Sequence, residues 1–239
     1  MYLYEICEEI RESLHISISP SSICRLLKAC GIMRKKIRQV ALQRCDALRG
    51  AYITQCLMFR PDMFIFVDES GSDRRSCIRK YGYALRGMTP TTHRLLHRGT
   101  RINAIAGIAT SGLVALHLAT TSVTSEEFLD FAMGSLIPNM LPFNGTNPSS
   151  IVVMDNASVH HTHKVIGLFQ SVGILVLFLP PYSLDINPIE ETFSYIKGCL
   201  RKHDTLLQVI PDPTDVVRSA FYSLTPQMCQ HWIQHGGYI

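Results

Sequence analysis

An apolar run that ends in a carboxylate is an expensive thing for a chain to build, and this sequence has two. Ile151-Val152-Val153-Met154 leads into Asp155-Asn156, and Met63-Phe64-Ile65-Phe66-Val67 leads into Asp68-Glu69. A third acid, Glu190, follows the proline-stiffened segment Leu179-Pro180-Pro181-Tyr182-Ser183-Leu184-Asp185-Ile186-Asn187-Pro188-Ile189, with 34 residues between Asp155 and Glu190. Short apolar runs of this kind read as strands covered on both faces. Each aspartate then closes a strand at its carboxyl end, where open α/β sheets bind ligands. Acids converging from two strand ends and one helix start make an oxygen cage suited to Mg²⁺.

Each acid also has a plainer reading. Asp155-Asn156 is an ordinary turn pair. Asp68 has Glu69 as a rival, and strand alternation sends the two side chains to opposite faces, so only one of them belongs to a site. Asn187-Pro188-Ile189-Glu190 fits an N-cap, a proline at the first helical position and an acid in the first turn. Helical geometry separates Glu190 from its neighbour. Ile189, Phe193, Ile196 and Leu200 form the apolar stripe, Glu190 lies on its flank with Ser194, Lys197 and Arg201, and Glu191 falls about 200° round, toward solvent.

The rest of the chain alternates. Strands are expected at 63–68, 101–109, 113–120, 151–155 and 174–179, and helices at 125–137, 158–171, 188–203, 214–223 and 226–234. Thr124-Ser125-Glu126-Glu127 is a capping box for the first of these helices. Upstream, residues 2–14 carry Leu3, Ile6, Ile10 and Leu14 at helical spacing, and Ser19-Pro20-Ser21-Ser22 starts a second helix that Gly31 ends. Two short helices followed by Arg34, Lys35 and Lys36 suit a helix-turn-helix whose second helix, with Arg25 and Lys28, enters a DNA groove. The expected organisation is therefore residues 1–45 as a partial DNA-binding segment, 46–60 as a helical connector and 61–239 as the main α/β domain.

Charge supports a polyanionic substrate. Residues 34–49 hold six Lys or Arg (Arg34, Lys35, Lys36, Arg38, Arg44 and Arg49) against Asp46, and residues 73–101 hold Arg74, Arg75, Arg79, Lys80, Arg86, Arg94, Arg98 and Arg101 against Asp73. A solvated arginine-rich loop is the alternative for each block. The 8 cysteines form no C-x-x-C pair, which points to a reducing compartment and mostly buried thiols. Glu5, Glu8 and Glu9 interrupt any secretory leader. Residues 102–125 lack Lys, Arg, Asp and Glu, but Thr110-Ser111-Gly112 breaks them into two strands and a turn, so no membrane span is expected. His160, His161 and His163 have no matching Cys or His pair for a zinc site.

Asp68-Glu69-Ser70, then Asp155-Asn156-Ala157 with His160, then Pro180-Pro181-Tyr182-Ser183 with Asp185 and Asn187-Pro188-Ile189-Glu190, together resemble the three acid motifs of mariner-type DDE transposases. The gap of 34 residues is also that family's spacing, and the resemblance covers roughly residues 60–205. It departs at Leu184, where the family usually has proline, and the stretch before residue 60 fits one DNA-binding subdomain rather than two. The resemblance implies a ribonuclease-H-like fold, a mixed five-stranded sheet flanked by helices and preceded by the small helical segment. It implies Asp68, Asp155 and Glu190 as catalytic acids and ligands of two Mg²⁺ ions, Mn²⁺ being an alternative. Asn156 and His160 are expected to support the second acid or the DNA. Double-stranded DNA is the expected partner, contacted by Arg25, Lys28, Arg34, Lys35, Lys36, Arg74, Arg75, Arg79 and Lys80, and a homodimer is allowed. The implied activity is metal-dependent cleavage and strand transfer on DNA, in the nucleus of a eukaryotic host or otherwise the cytoplasm. The alternative is a domesticated or decayed copy that only binds nucleic acid.

Overall fold

Strand β1 (Phe64–Ser72) sorts its side chains strictly by parity. Phe64 and Phe66 enter one hydrophobic core, and Ile65 and Val67 enter another on the opposite face. A strand can do this only where both faces are covered, and each of these side chains is fully buried. Burial of a large apolar side chain contributes roughly 1.5–3 kcal/mol, so this strand anchors both layers.

The computed structural model describes residues 2–35, 41–73, 77–79, 81–93 and 99–238. The chain divides into two compact units, residues 1–41 and 42–239. In the first, α1 (Leu3–Leu14) packs on α2 (Pro20–Ala29), whose Ser19 side chain accepts from the Ser22 amide. Gly31 follows α2 with φ 77°, the left-handed conformation that favours glycine at a helix end.

In the second unit, α3 (Asp46–Cys56) precedes β1, and β2 (Ile102–Ala109), β3 (Gly112–Ala119), β4 (Ile151–Met154) and β5 (Leu175–Phe178) complete the sheet. The strand order is β3-β2-β1-β4-β5. β1–β2 and β2–β3 are antiparallel, whereas β1–β4 and β4–β5 are parallel. This is the mixed five-stranded sheet flanked by helices that the sequence predicts. One face carries α6 (Pro188–Lys202), α7 (Asp204–Val209), α8 (Thr214–Tyr222) and α9 (Pro226–His235), and the other carries α4 (Ser125–Phe131) and α5 (His163–Ser171). The uncharged stretch is the β2–β3 hairpin, and among the described residues no helix is long and apolar enough to cross a membrane.

Several expectations need correction. β1 runs on to Ser72 instead of ending at Asp68, because β2 pairs with it as far as Ser72↔Ile102. The expected helix 125–137 is α-helical only to Phe131, then widens into a π turn over Ala132–Leu136 and tightens over Ile137–Asn139. Gly134 lies in the wide turn, and Pro138 lacks the amide a continuing helix needs. The helix expected from residue 158 starts only at His163, so His160 and His161 lie in the turns before it. Helix α7 has no sequence counterpart. Cys56, Cys77 and Cys229 are buried, but Cys24, Cys30 and Cys45 are exposed, so the thiols are not mostly buried.

Candidate active site

The parallel pairing of β1 with β4 matches Phe64 to Ile151 and Phe66 to Val153. Continuing that register by two residues brings Asp68 level with Asp155. Both share the parity of Phe64, Phe66 and Val153, the side chains that meet α6. Asp68 therefore stands where β1 continues and β4 has ended, the crevice that strand divergence opens. Glu190 occupies the first turn of α6 on that same face.

Electrostatics tie the three acids together. Asp68 is 7% exposed, and burial, followed by the charges of Asp155, Glu190 and Glu69, pushes its carboxyl up to about 7 against the lowering pull of the Glu69 amide. Glu190 is raised by burial and by Asp155, although Lys197 opposes the shift. Asp155 moves the other way, held below the usual carboxylate range chiefly by its hydrogen bond from His160. Asp68 Oδ1 accepts from the Glu69 amide at 2.7 Å, and Oδ2 accepts from Asn187 Nδ2 at 3.1 Å. Among the described residues, no three His, Cys, Asp or Glu side chains are drawn into a ready-formed metal cage.

His160 is completely buried and lies between two carboxylates. Its Nδ1 is 2.8 Å from Asp155 Oδ1 and its Nε2 is 2.9 Å from Glu69 Oε1, with Phe128 packed on the ring at 4.7 Å between centroids. Burial alone would lower the imidazole, but the bonds to Asp155 and Glu69 outweigh it and push it up to about 10. Glu69 thus corrects the expectation that only one member of the Asp68-Glu69 pair belongs to the site. The two do occupy opposite faces, yet Glu69 reaches Asp155 through His160, around the end of β4. No periodicity in the sequence could show this link, because its two residues are 91 positions apart in the chain. Asn156 bonds the Leu179 carbonyl and accepts from His161, which stacks on Phe178 at 4.0 Å. The Asp155 loop is thereby fastened to the end of β5.

The turn before α6 (Leu184–Ile186) is held from two sides. Arg49 donates two bonds to Asp185, at 2.9 and 3.2 Å, and Arg44 adds one at 3.3 Å. Burial would raise Asp185, but Arg49 and then Arg44 outweigh it and hold the carboxyl low. Tyr238 donates to the Ile186 carbonyl at 3.0 Å and lies 2.9 Å from the Tyr52 hydroxyl. Arg44 and Arg49, counted in the sequence among the phosphate-facing cations, are turned inward to this turn. Arg79 is exposed and donates to the Arg201 and Lys202 carbonyls at the end of α6. Arg25, Lys28, Arg34 and Lys35 are exposed in the first unit, and Lys36, Arg74, Arg75 and Lys80 lie outside the described residues.

A cleft of about 290 Å³ beside α6 is lined by Asn187, Glu190, Glu191, Ser194 and His235, among others. Glu191, expected to face solvent, is only partly exposed and bonds His235 on the rim of this cleft. A larger opening of about 630 Å³, lined by Arg60, Asp62 and Gln230 among others, includes none of the three acids. Of the three acids, Glu190 lines the smaller cleft, whereas Asp68 is buried behind it.

Solved structures share this fold. The Mos1 mariner paired-end complex with Mn superposes with a TM-score of 0.71 at 16% identity, covering 98% of this chain and 70% of that one. The Mos1 strand transfer complex gives 0.68 at 17% identity, with 97% and 72% covered. The catalytic domain of Mos1 mariner transposase gives 0.54 at 13%, with 84% and 91% covered. No curated protein sequence matches the chain. The family model of the DDE superfamily endonucleases matches residues 63–209, more than half of the chain, and that span runs from the start of β1 through Asp68, Asp155 and Glu190 to the end of α7. The chain therefore belongs to the DDE superfamily endonucleases.

Proposed function

We propose that this endonuclease cuts and rejoins duplex DNA in a divalent-metal-dependent reaction, with Asp68, Asp155 and Glu190 as its acid set. The observation that carries the reading is the convergence of three mutually repelling carboxylates on one face of the β1–β4 crevice. Repulsion of this kind is tolerable where a cation belongs. Carboxylate oxygens are the donors that hard Mg²⁺ or Mn²⁺ prefers, and the Asp68, Asp155 and Glu190 side chains would hold two such ions. Bound there, the ions would make water or a 3′-hydroxyl a better nucleophile and neutralise charge on the leaving oxygen.

The chain's own residues prepare the acids for that task. His160 keeps Asp155 ionised and oriented, Asn156 fastens its loop, and the Arg44–Arg49–Asp185 contact steadies the turn that presents Glu190. Duplex DNA fits the exposed Arg25, Lys28, Arg34 and Lys35, with Lys36, Arg74, Arg75, Arg79 and Lys80 as further phosphate contacts and α1–α2 as a helix-turn-helix. The solved relatives are described as paired-end and strand transfer complexes, which supports end joining by a homodimer. A nuclear site of action follows in a eukaryotic host, a cytoplasmic one otherwise. The nucleic-acid-binding remnant is disfavoured by the retention of all three acids.

The test is nicking of a supercoiled plasmid in Mg²⁺ or Mn²⁺ by the wild type and by Asp155→Asn. Activity that appears with the metal and disappears in the variant is expected. Equal nicking in EDTA, or by Asp155→Asn, overturns the reading.

A further inference from the structure

Asn187 sits at the N-cap of α6, where an asparagine side chain ordinarily accepts a hydrogen bond from an amide of the first turn. Here it makes no capping bond. Its side chain turns away from the helix and donates Nδ2 to Asp68 Oδ2 at 3.1 Å. The residue is 3% exposed, and its Oδ1 is buried with no hydrogen-bond partner among the described residues. In the ionised form of Asp68, the one that takes a cation, only the NH₂ group can donate to the carboxylate, and this fixes the orientation of the amide. The orphaned acceptor is bonded to the same carbon as that NH₂ and so lies beside the Asp68 carboxylate.

This arrangement forgoes a helix cap and leaves a buried acceptor unsatisfied, and each is a cost to the folded chain. A donor arriving at Asp68 would satisfy the acceptor. Mg²⁺ and Mn²⁺ held by one or two carboxylates keep several waters, and water polarised by a cation is a strong donor. We propose that Asn187 is a positioning residue for the metal at Asp68: Nδ2 fixes the carboxylate, and Oδ1 accepts a hydrogen bond from a water in the ion's hydration shell. The inference rests on the metal-dependent reading above and deepens it. It also accounts for the asparagine in Asn187-Pro188-Ile189-Glu190 beyond its capping propensity, linking the first acid to the helix that carries the third.

The experiment measures Mn²⁺ affinity by calorimetry and thermal unfolding in EDTA for wild type, Asn187→Ala, Asn187→Ser and Asp68→Asn. Serine is a strong N-cap residue too short to reach Asp68, so it keeps the helix start while removing the contact. Both Asn187 variants should bind Mn²⁺ about tenfold or more weakly, the usual scale for loss of a group that orients a ligand. In EDTA they should melt close to the wild-type temperature, because losing the unsatisfied acceptor offsets losing the Nδ2 bond to Asp68. Variants that melt lower in EDTA but bind Mn²⁺ normally, or that do not fold in EDTA, would make Asn187 a structural residue and overturn the proposal. Asp68→Asn separates this from the reading beneath it. If Asp68→Asn binds Mn²⁺ like the wild type, the metal reading itself fails. If Asp68→Asn loses Mn²⁺ while both Asn187 variants retain it, only the role of Asn187 fails.

Discussion

Without metal, the protein should lose stability as pH rises from about 4 to 7, and Asp68 should be the main cause, with Glu190 raised in the same direction and adding to it. The Asp68 carboxyl is displaced from an ordinary value of 3.8 up to about 7, mainly by burial. Between those values the folded chain keeps a proton that the unfolded chain has released. Stability therefore falls as pH climbs through this window. At about 1.4 kcal/mol per pH unit the displacement corresponds to about 4 kcal/mol at most, a large share of the 5–15 kcal/mol typical of a domain. Asp155, held low by His160, acts in the opposite sense only below about pH 4. His160, raised from 6.5 to about 10, contributes stability that is full below 6.5 and fades toward 10, so it leaves the lower part of the Asp68 window untouched. Urea unfolding in EDTA at pH 5.0 and 6.5 (assay settings of roughly these values lie inside the window), for wild type and Asp68→Asn, isolates the effect. The wild type should lose stability relative to the variant as pH rises, and added Mg²⁺ should restore it most at the higher pH. Parallel profiles for the two proteins would refute the reasoning.

Other outcomes follow from the same geometry. Glu190→Gln should abolish metal-dependent nicking while Glu191→Gln leaves it largely intact, since only Glu190 couples to the other acids; a plasmid assay in which the two behave in reverse would mean that the face of α6 is misassigned. His160→Ala should cost about 3 kcal/mol in urea unfolding, because it removes two charge-assisted bonds and leaves Glu69 and Asp155 without the cation between them. A loss below about 1 kcal/mol would show that the cluster behaves like an exposed pair. DNA binding should be weak, salt-sensitive and little dependent on sequence, with base contacts adding only about 1–3 kcal/mol per good bidentate pair. Titrating a random duplex and a candidate inverted repeat at two salt concentrations checks this, and salt-resistant preference for the repeat contradicts it.

What the sequence made legible was what is local. The apolar runs set the strands, and the stripe Ile189, Phe193, Ile196 and Leu200 is buried as its spacing requires. Strand alternation correctly sent Asp68 and Glu69 to opposite faces. What stayed hidden depends on chain partners far apart in sequence. The length of β1 is set by β2, not by its own apolar run. The bond from Glu69 to His160 and the inward turn of Arg44 and Arg49 exist only after the strands have paired and α3 has docked. The capping reading of Asn187 was sound as local propensity, but the adjacent carboxylate competes for the same side chain and takes it.

The contacts on the Leu184–Ile186 turn carry a consequence for how far the family's core can be trimmed. Its anchors are Arg44 and Arg49 before β1 and Tyr238 after α9, with Tyr52 bonded to Tyr238 behind it. All four lie outside residues 63–209, the span that matches the family model. A fragment cut to residues 63–209 would therefore keep Asp68, Asp155 and Glu190 but lose the side chains that hold the turn in front of Glu190, so the third acid should be the one it positions least well.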